Sequence, residues 1–185
     1  MAFGTTSAIF QYTAKYFFGC FAAGVTAPAG SAGLVSDAGT KYALYGNSGT
    51  PASSYSSAGT AALTSYNGSG SAWVTGNEAS GGSGYSAGGA ALSGKAWLAT
   101  PDAVSGSCFT ATGPTWTITG GPFTAYGGLL YDSTITASGN FGASQGICFN
   151  SFGGAQSVTG GTFTVTFATA GSTANTIFNL AVTVV

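Results

Sequence analysis

The stretch that most constrains the fold is a strict alternation near the carboxyl end. Thr162, Thr164 and Thr166 alternate there with the apolar residues Phe163, Val165 and Phe167. Side chains of a β-strand point alternately to opposite faces, so a period of two indicates a strand with one buried face. We therefore expect the three apolar side chains to be buried, and the three threonines to face water or a partner.

Other short apolar runs are spaced about ten residues apart and separated by turn residues, as in two-layered antiparallel sheets. The predicted strands are 41–46, 95–100, 115–119, 125–134, 145–152, 161–169 and 175–185, with a brief one possible in 72–81. The predicted Gly-Gly turns are 120–121, 153–154 and 160–161. Together they predict a mainly β protein with a jelly-roll-like antiparallel β-sandwich over residues 25–185.

The amino-terminal segment 7–24 has two competing interpretations. Its apolar residues recur at spacings of three and four, which predicts a short helix over 8–23 within an arm of residues 1–24. Lys15, the apolar run after it and the small residues 25–27 instead fit a secretory signal. The retained Met1 favours the helix. No run approaches the roughly 18 apolar residues of a membrane span.

The charge content limits what the chain can bind. Only 4% of the residues are charged, three lysines and four carboxylates, while Gly supplies 32 residues and aromatic residues 14%. The aromatic content argues against disorder. Binding nucleic acid requires the neutralisation of several phosphates, so no nucleic-acid partner is expected. Ordinary soluble domains carry far more charge, and we expect this chain to associate with other proteins.

Chemistry-bearing residues are sparse. The carboxylates are Asp37, Glu78, Asp102 and Asp132, and nothing in their spacing brings two together as acid–base catalysis would require. A serine nucleophile lacks a histidine base, because the chain has none. We therefore expect no enzyme and no catalytic residues.

Binding motifs for cofactors and metals are equally weak. Cys20, Cys108 and Cys148 form no CxxC pair, so we expect unpaired buried thiols and no metal site. Residues 82–87 match GxGxxG/A, but the dinucleotide site needs a long helix next, and the glycines at 88, 89 and 94 oppose one. We expect no cofactor. Within the glycine-rich segment 81–94, Tyr85 should anchor the chain in the core, while Gly88 and Gly89 adopt angles that other residues resist.

Several segments occur in an order that is itself informative. They are Lys41-Tyr42-Ala43-Leu44-Tyr45, Tyr55, Gly84-Tyr85-Ser86-Ala87-Gly88-Gly89, Leu92-Ser93-Gly94, Thr115-Trp116, Leu129-Leu130-Tyr131-Asp132-Ser133-Thr134, Phe152-Gly153-Gly154-Ala155-Gln156-Ser157-Val158 and Gly161-Thr162-Phe163-Thr164-Val165. In this order, over residues 8 to 184, they resemble a family of structural proteins of tailed bacteriophages. Ser151 and Phe167 stand where Asp and Trp are common in that family.

The resemblance implies a virion structural protein that binds other virion proteins. The expected role is a decoration or cement protein on the capsid surface, homo-oligomeric and by preference trimeric, that contacts the major capsid protein and stabilises the shell. A tail, neck or fibre component is the alternative within this class. A secreted surface-layer or adhesion module is the alternative outside it, and would suit the low charge and the signal-like start.

Overall fold

A computed structural model describes residues 8–9, 38–48, 61–99, 107–137, 142–167 and 180–184. Its strands are β1 (Ala8–Ile9), β2 (Thr40–Tyr45), β3 (Ala90–Ala91), β4 (Ser93–Ala99), β5 (Ser107–Thr112), β6 (Thr115–Ile118), β7 (Phe123–Asp132), β8 (Gly146–Val158), β9 (Gly161–Phe167) and β10 (Leu180–Val184). Short 3-10 helices occupy Ala61–Thr64 and Thr75–Asn77. The mainly β class is confirmed.

The strands form antiparallel sheets. A five-stranded sheet has the order β1-β8-β7-β2-β3, and a three-stranded sheet has the order β10-β9-β6. The strands β4 and β5 pair with each other in a two-stranded sheet. A tight turn at residues 159–160 carries the chain from β8 in the larger sheet to β9 in the three-stranded one.

The main core lies between the five-stranded and three-stranded sheets, which gives the fold its sandwich-like character. The ring of Phe123 on β7 meets that of Phe163 on β9 edge-on, with centroids 5.4 Å apart. Tyr42 on β2 meets Phe167 in the same geometry at 5.6 Å. Such offset aromatic pairs add to the free energy that apolar burial already contributes.

The alternation in β9 has the predicted consequence. Phe163 and Val165 are fully buried and Phe167 is 8% exposed. Thr162 and Thr164 are half-buried, and Thr166 is exposed. The period of two therefore correctly assigned the two faces of this strand.

A second apolar layer covers the opposite face of the five-stranded sheet. Trp73, from the segment between the two 3-10 helices, packs with its ring 5.0 Å from Tyr45 and 5.4 Å from Phe149. The same cluster includes Ala43, Leu129 and Tyr131. Strands β2 and β7 are consequently buried on both faces, and for this reason they read as nearly continuous apolar runs.

Several predicted elements need correction. The brief strand within 72–81 is wrong: the 3-10 helix Thr75–Asn77 lies there, and only an isolated bridge pairs Glu78 with Tyr45. Glycines at 120–121 do form a bend between β6 and β7, whereas those at 153–154 lie inside β8. Strand β5 was not predicted, because Phe109 is its only large apolar residue.

The register of β7 and β8 explains the Gly-Gly pair at 153–154. Ala125 pairs with Gln156 and Gly127 with Ser151, so Tyr126 alone stands opposite residues 152–155. The extra residues form an excursion from the ladder, and Gly153 adopts φ +75° within it. Positive φ values are readily accessible to glycine. The pair therefore bends a strand instead of ending it.

The predicted amino-terminal helix over 8–23 falls almost wholly outside the described residues. Its first two residues, Ala8–Ile9, form β1 and pair with Phe149 and Cys148 of β8. The division into an arm of residues 1–24 and a domain of residues 25–185 stays a prediction. Within the described part of the chain, no helix is long and apolar enough to cross a membrane.

Candidate functional site

The segment 81–94, singled out in the sequence, folds as a tight element held against both sheets. Gly88 and Gly89 have φ values of +89° and +67°, and the Gly89 N–H donates to Ser86 at 3.1 Å. A Cβ on Gly89 would lie 1.9 Å from the Tyr42 carbonyl oxygen, and one on Gly84 equally close to that of Thr117. Glycine is thus required at both positions, by close approach as well as by angle.

Tyr85 anchors this segment, as predicted. Its ring packs 5.4 Å from that of Phe123 and 5.6 Å from that of Trp116. The hydroxyl accepts a hydrogen bond from the Leu44 N–H at 2.9 Å and donates one to the Glu78 carboxylate. One side chain therefore joins the segment to both sheets and to the layer behind β2.

The carboxylate of Glu78 is the centre of a polar cluster, although its side chain is only 7% exposed. Tyr66 donates its hydroxyl to Oε1 at 2.7 Å, and the Gly88 N–H lies 3.0 Å from each oxygen. With Tyr85, all of these partners are donors. A carboxylate offers about four acceptor positions, so these contacts leave little room for a substrate or a metal ion.

The phenols around Glu78 are held in their neutral form. Burial raises the pKa of Tyr85 and of Tyr45, and the nearby negative charge of Glu78 raises both further. The pKa of Tyr131 is also raised, mainly by burial, and its hydroxyl donates to the Gly88 carbonyl at 2.8 Å. Neutral phenols do not serve as bases, and the hydroxyls of Tyr66, Tyr85 and Tyr131 donate hydrogen bonds in this cluster. The cluster therefore fastens the 81–94 segment to the strands around it.

Sequence reasoning named Glu78 and Tyr85, but not Tyr66, which also donates to the carboxylate, or Tyr131. Tyr66 and Tyr131 stack with ring centroids 4.6 Å apart, although they come from distant parts of the chain. The sequence signal for this cluster was an acidic residue in an almost uncharged chain, which indicates that buried polar side chains surround it. Which phenols supply the set depends on the tertiary fold.

The remaining acidic and cysteine candidates are either locally engaged or outside the described residues. Asp132 is fully buried, and its Oδ1 accepts a hydrogen bond from the Thr134 N–H at 2.9 Å and another from the Thr134 hydroxyl at 2.7 Å. Asp37, Asp102 and Cys20 lie outside the described residues. Cys148 is buried as a free thiol, and burial raises its pKa. For Cys108, only the backbone is described.

Cofactor and metal motifs find no support in the described residues. The glycines of 82–87 are followed by a turn and by β3, so the helix that a dinucleotide site requires does not follow them. Among the residues that the structure describes, no group of three or more His, Cys, Asp and Glu side chains could hold a metal ion.

The described surface carries almost no charge. Of its four charged residues, Glu78 and Asp132 are buried, while Lys41 and Lys95 are half-buried. None of the four falls among the exposed residues. Exposed positions in the described ranges are instead mostly Gly, Ser, Thr, Asn and Ala.

The outer side of the three-stranded sheet bears a regular array of exposed and half-buried hydroxyl groups, here called the threonine face. It consists of Thr115, Thr117, Thr162, Thr164 and Thr166. Thr115 is opposite Thr164, and Thr117 is opposite Thr162. The two hydroxyl oxygens of the first pair are 3.2 Å apart. A groove of about 510 Å³ is lined by three of these threonines, Thr115, Thr164 and Thr166, together with Thr112, Gly113 and other residues.

Comparison of the chain with protein-family models, with curated proteins and with solved structures finds no match.

Proposed function

We propose that this chain is a structural protein of a bacteriophage virion that acts by binding and assembly. The preferred role is that of a decoration or cement protein, which binds the assembled capsid through the major capsid protein or another virion protein and stabilises the shell. It acts as a homo-oligomer, with a trimer as the preferred form. The proposal includes no catalytic step and no cofactor.

The observation that carries the proposal is the scarcity of exposed charge in the described part of the chain. Both of its carboxylates are buried and both lysines are half-buried. Soluble monomers use interspersed surface charges to remain apart, and a net charge near zero promotes association. A surface covered by small and hydroxyl-bearing residues therefore suits a protein that functions within an assembly.

The resemblance to phage structural proteins supports the same proposal. Apart from Tyr55, which lies outside the described residues, its segments fall in the described chain, and several coincide with structural elements. KYALY forms most of β2, GYSAGG forms the tight turn bound by Glu78, and LLYD ends β7. The final motif spans the corner from β8 to β9. The segments that carry the resemblance thus include residues that hold this fold together.

The test is whether the protein co-purifies with virus particles. Particles of the phage whose genome encodes this chain would be purified on a density gradient, and the ratio of this protein to the major capsid protein measured by quantitative mass spectrometry. We expect the protein in the particle band, at a copy number comparable to that of the capsid protein. Tailless capsids serve as the matched comparison.

Two other outcomes are distinguishable. A small fixed copy number that disappears from tailless capsids would move the protein to the tail, neck or fibre. Absence from particles, with the protein recovered from the host cell surface or the medium, would overturn the proposal in favour of the secreted surface-layer or adhesion module.

A further inference from the structure

One stretch of chain, residues 81–92, covers an edge of each of the two larger sheets and is here called the strap. Strand β6 is the last strand of the three-stranded sheet, and its other edge is bonded to β9. Ser83 of the strap exchanges two backbone hydrogen bonds with Thr119, directly after β6, at 2.6 and 2.9 Å. Gly84 approaches the Thr117 carbonyl so closely that no Cβ would fit there. The first part of the strap therefore occupies the edge of β6.

The last part of the strap covers the edge of β2 in the five-stranded sheet. Residues 41 and 42 of β2 pair with β3, and the Leu92 N–H donates to the Thr40 carbonyl at 2.9 Å. On its other side, β2 pairs with β7. Strand β3 has only two residues. Very short strands and covering loops are two ways in which natural sheets close their edges to other chains.

Between these two contacts, a side chain takes the place of a neighbouring strand. The Tyr85 hydroxyl accepts a hydrogen bond from the Leu44 N–H at 2.9 Å and lies 3.4 Å from the Leu44 carbonyl oxygen. That carbonyl also accepts the Ala79 N–H at 2.9 Å. The backbone groups that β2 would offer to a further strand at Leu44 are therefore bonded by a phenol and by the residue after Glu78.

The strap is attached mainly by polar contacts. Leu92 is its only buried residue, and Tyr85 is partly buried against the core, while residues 81–84, 86 and 87 are exposed. Segments with few buried apolar contacts open locally at a lower free energy than the core does. The middle of the strap is held by the Glu78 carboxylate, which accepts the Tyr85 hydroxyl and the Gly88 N–H. Hydrogen bonds to a charged acceptor are stronger than those between neutral groups.

An ordinary explanation is that residues 81–92 are a connecting loop that packs on the fold. The strand beneath them gives the cover a further consequence. Strand β2 reads TKYALY, six residues with one charge and no proline. Short segments of high β-propensity and low charge pair readily with copies of themselves when an edge is free. An opened strap would therefore leave such a segment with an unpaired edge.

We propose that the strap is an autoinhibitory closure, which opens as one unit when the Glu78 contacts break and otherwise prevents the edge of β2 from pairing with the same edge of a second copy. Pairing of two identical edges is antiparallel and two-fold, so each contact joins two copies. The inference concerns the chain by itself and goes beyond the proposed function.

The experiment combines hydrogen exchange and sedimentation velocity on the purified full-length chain. Glu78→Gln removes the charge and one acceptor oxygen, and Tyr85→Phe removes the hydroxyl but keeps the ring. We expect the amides of Ser83, Leu92 and Thr119 to exchange about ten-fold faster or more in each variant, because a hydrogen bond to a charged group is lost. The amides of the β7–β8 ladder should keep their wild-type rates. Each variant should also associate further than the wild type at the same micromolar concentration.

Tyr42→Phe is the matched control, since it removes another buried phenol hydroxyl, which donates to Asn150 at 3.2 Å. It should leave strap exchange and association at wild-type values. The inference is wrong if neither Glu78→Gln nor Tyr85→Phe speeds exchange at the strap amides, or if Tyr42→Phe speeds it equally. It is also wrong if exchange rises without further association, because the strap would then guard no edge.

Two variants on different segments keep the test decisive if one of them fails to fold, as circular dichroism would show. The outcomes are independent of those that test the proposed function. The copy number on virus particles decides that function, whereas exchange and association of the purified chain decide the role of the strap.

Discussion

At the scale of single residues, this fold depends on glycines whose replacement is costly and on the buried carboxylate of Glu78. Gly89 lies against the backbone of Tyr42 and has a positive φ, while Glu78 holds the neighbouring Gly88 amide. The Tyr85 hydroxyl joins both features to β2. These residues explain how a chain with so many small side chains still adopts one conformation in this region.

Gly89→Ala tests this explanation. The new methyl group would approach the Tyr42 carbonyl and the residue would keep an unfavourable φ, so we expect the free energy of unfolding to fall by about 1–3 kcal/mol or more. Gly154→Ala is the matched control, because a Cβ there would meet nothing within 4 Å. It should change stability by less than about 0.5 kcal/mol. Urea unfolding measures both, and equal effects would mean that close approach does not constrain Gly89.

At the scale of elements, the sandwich is held together by strands whose apolar faces meet across its core. Strand β9 is the clearest example, because its alternation separates a buried face from the threonine face. Strand β6 repeats the arrangement with Trp116 and Ile118 inward and two threonines outward. The same two strands therefore supply part of the core and the threonine face.

Phe163→Ala measures the contribution of β9 to the core. The ring is fully buried and contacts Phe123 and Trp116, so its truncation should cost about 3–5 kcal/mol of unfolding free energy. Thr166→Ala on the outer face should cost far less. A loss below about 1 kcal/mol for Phe163→Ala would contradict the burial of this face.

The elements show which parts of the fold the sequence could predict. Strands with one buried face, such as β9, carry a period of two that can be read directly. The layer at residues 61–80 has no such period, because its burial depends on Trp73 reaching Tyr45 and Phe149 on other strands. The excursion in β8 was misread as a turn, because a Gly-Gly pair suits either structure. Of the polar cluster, Tyr85 was predicted, but contacts between Glu78 and Tyr66 arise only from the tertiary fold.

At the scale of the whole molecule, nearly all titratable groups of the described part are buried or partly buried. The free energy of unfolding should therefore decrease as the pH becomes alkaline. Burial raises the pKa of Tyr42, Tyr45 and Cys148 above their ordinary values. These groups keep their protons in the folded state at a pH where the unfolded chain has lost them. Their contribution is complete below the unfolded pKa values and is lost as pH rises above them.

We therefore expect the free energy of unfolding to fall between about pH 8 and pH 11, by up to about 1.4 kcal/mol per pH unit for each such group. Urea titrations across this range measure the slope. Tyr45→Phe keeps the ring and removes one titrating group, and should make the slope shallower. Stability that stays constant or rises over this range would show that these side chains are accessible in the folded state.

The same scarcity of exposed charge governs how the molecule would hold its partner. The chain has three lysines and four carboxylates, so few charged groups are available to form an electrostatic interface. It must depend on apolar burial, on β-edge pairing and on hydrogen bonds from small polar side chains. Salt screens exposed ion pairs, with a Debye length of about 3 Å at 1 M, but it does not weaken apolar contacts.

The measurement that tests this account most directly is the ratio of this protein to the major capsid protein in pelleted particles after washing. Parallel samples would be washed in dilute buffer, in molar sodium chloride, and in moderate urea or guanidinium. We expect the ratio to be unchanged by sodium chloride and to fall sharply in urea or guanidinium, because these denaturants solvate apolar and peptide groups. Release by sodium chloride alone would show that a few charges dominate the contact, and would contradict the account.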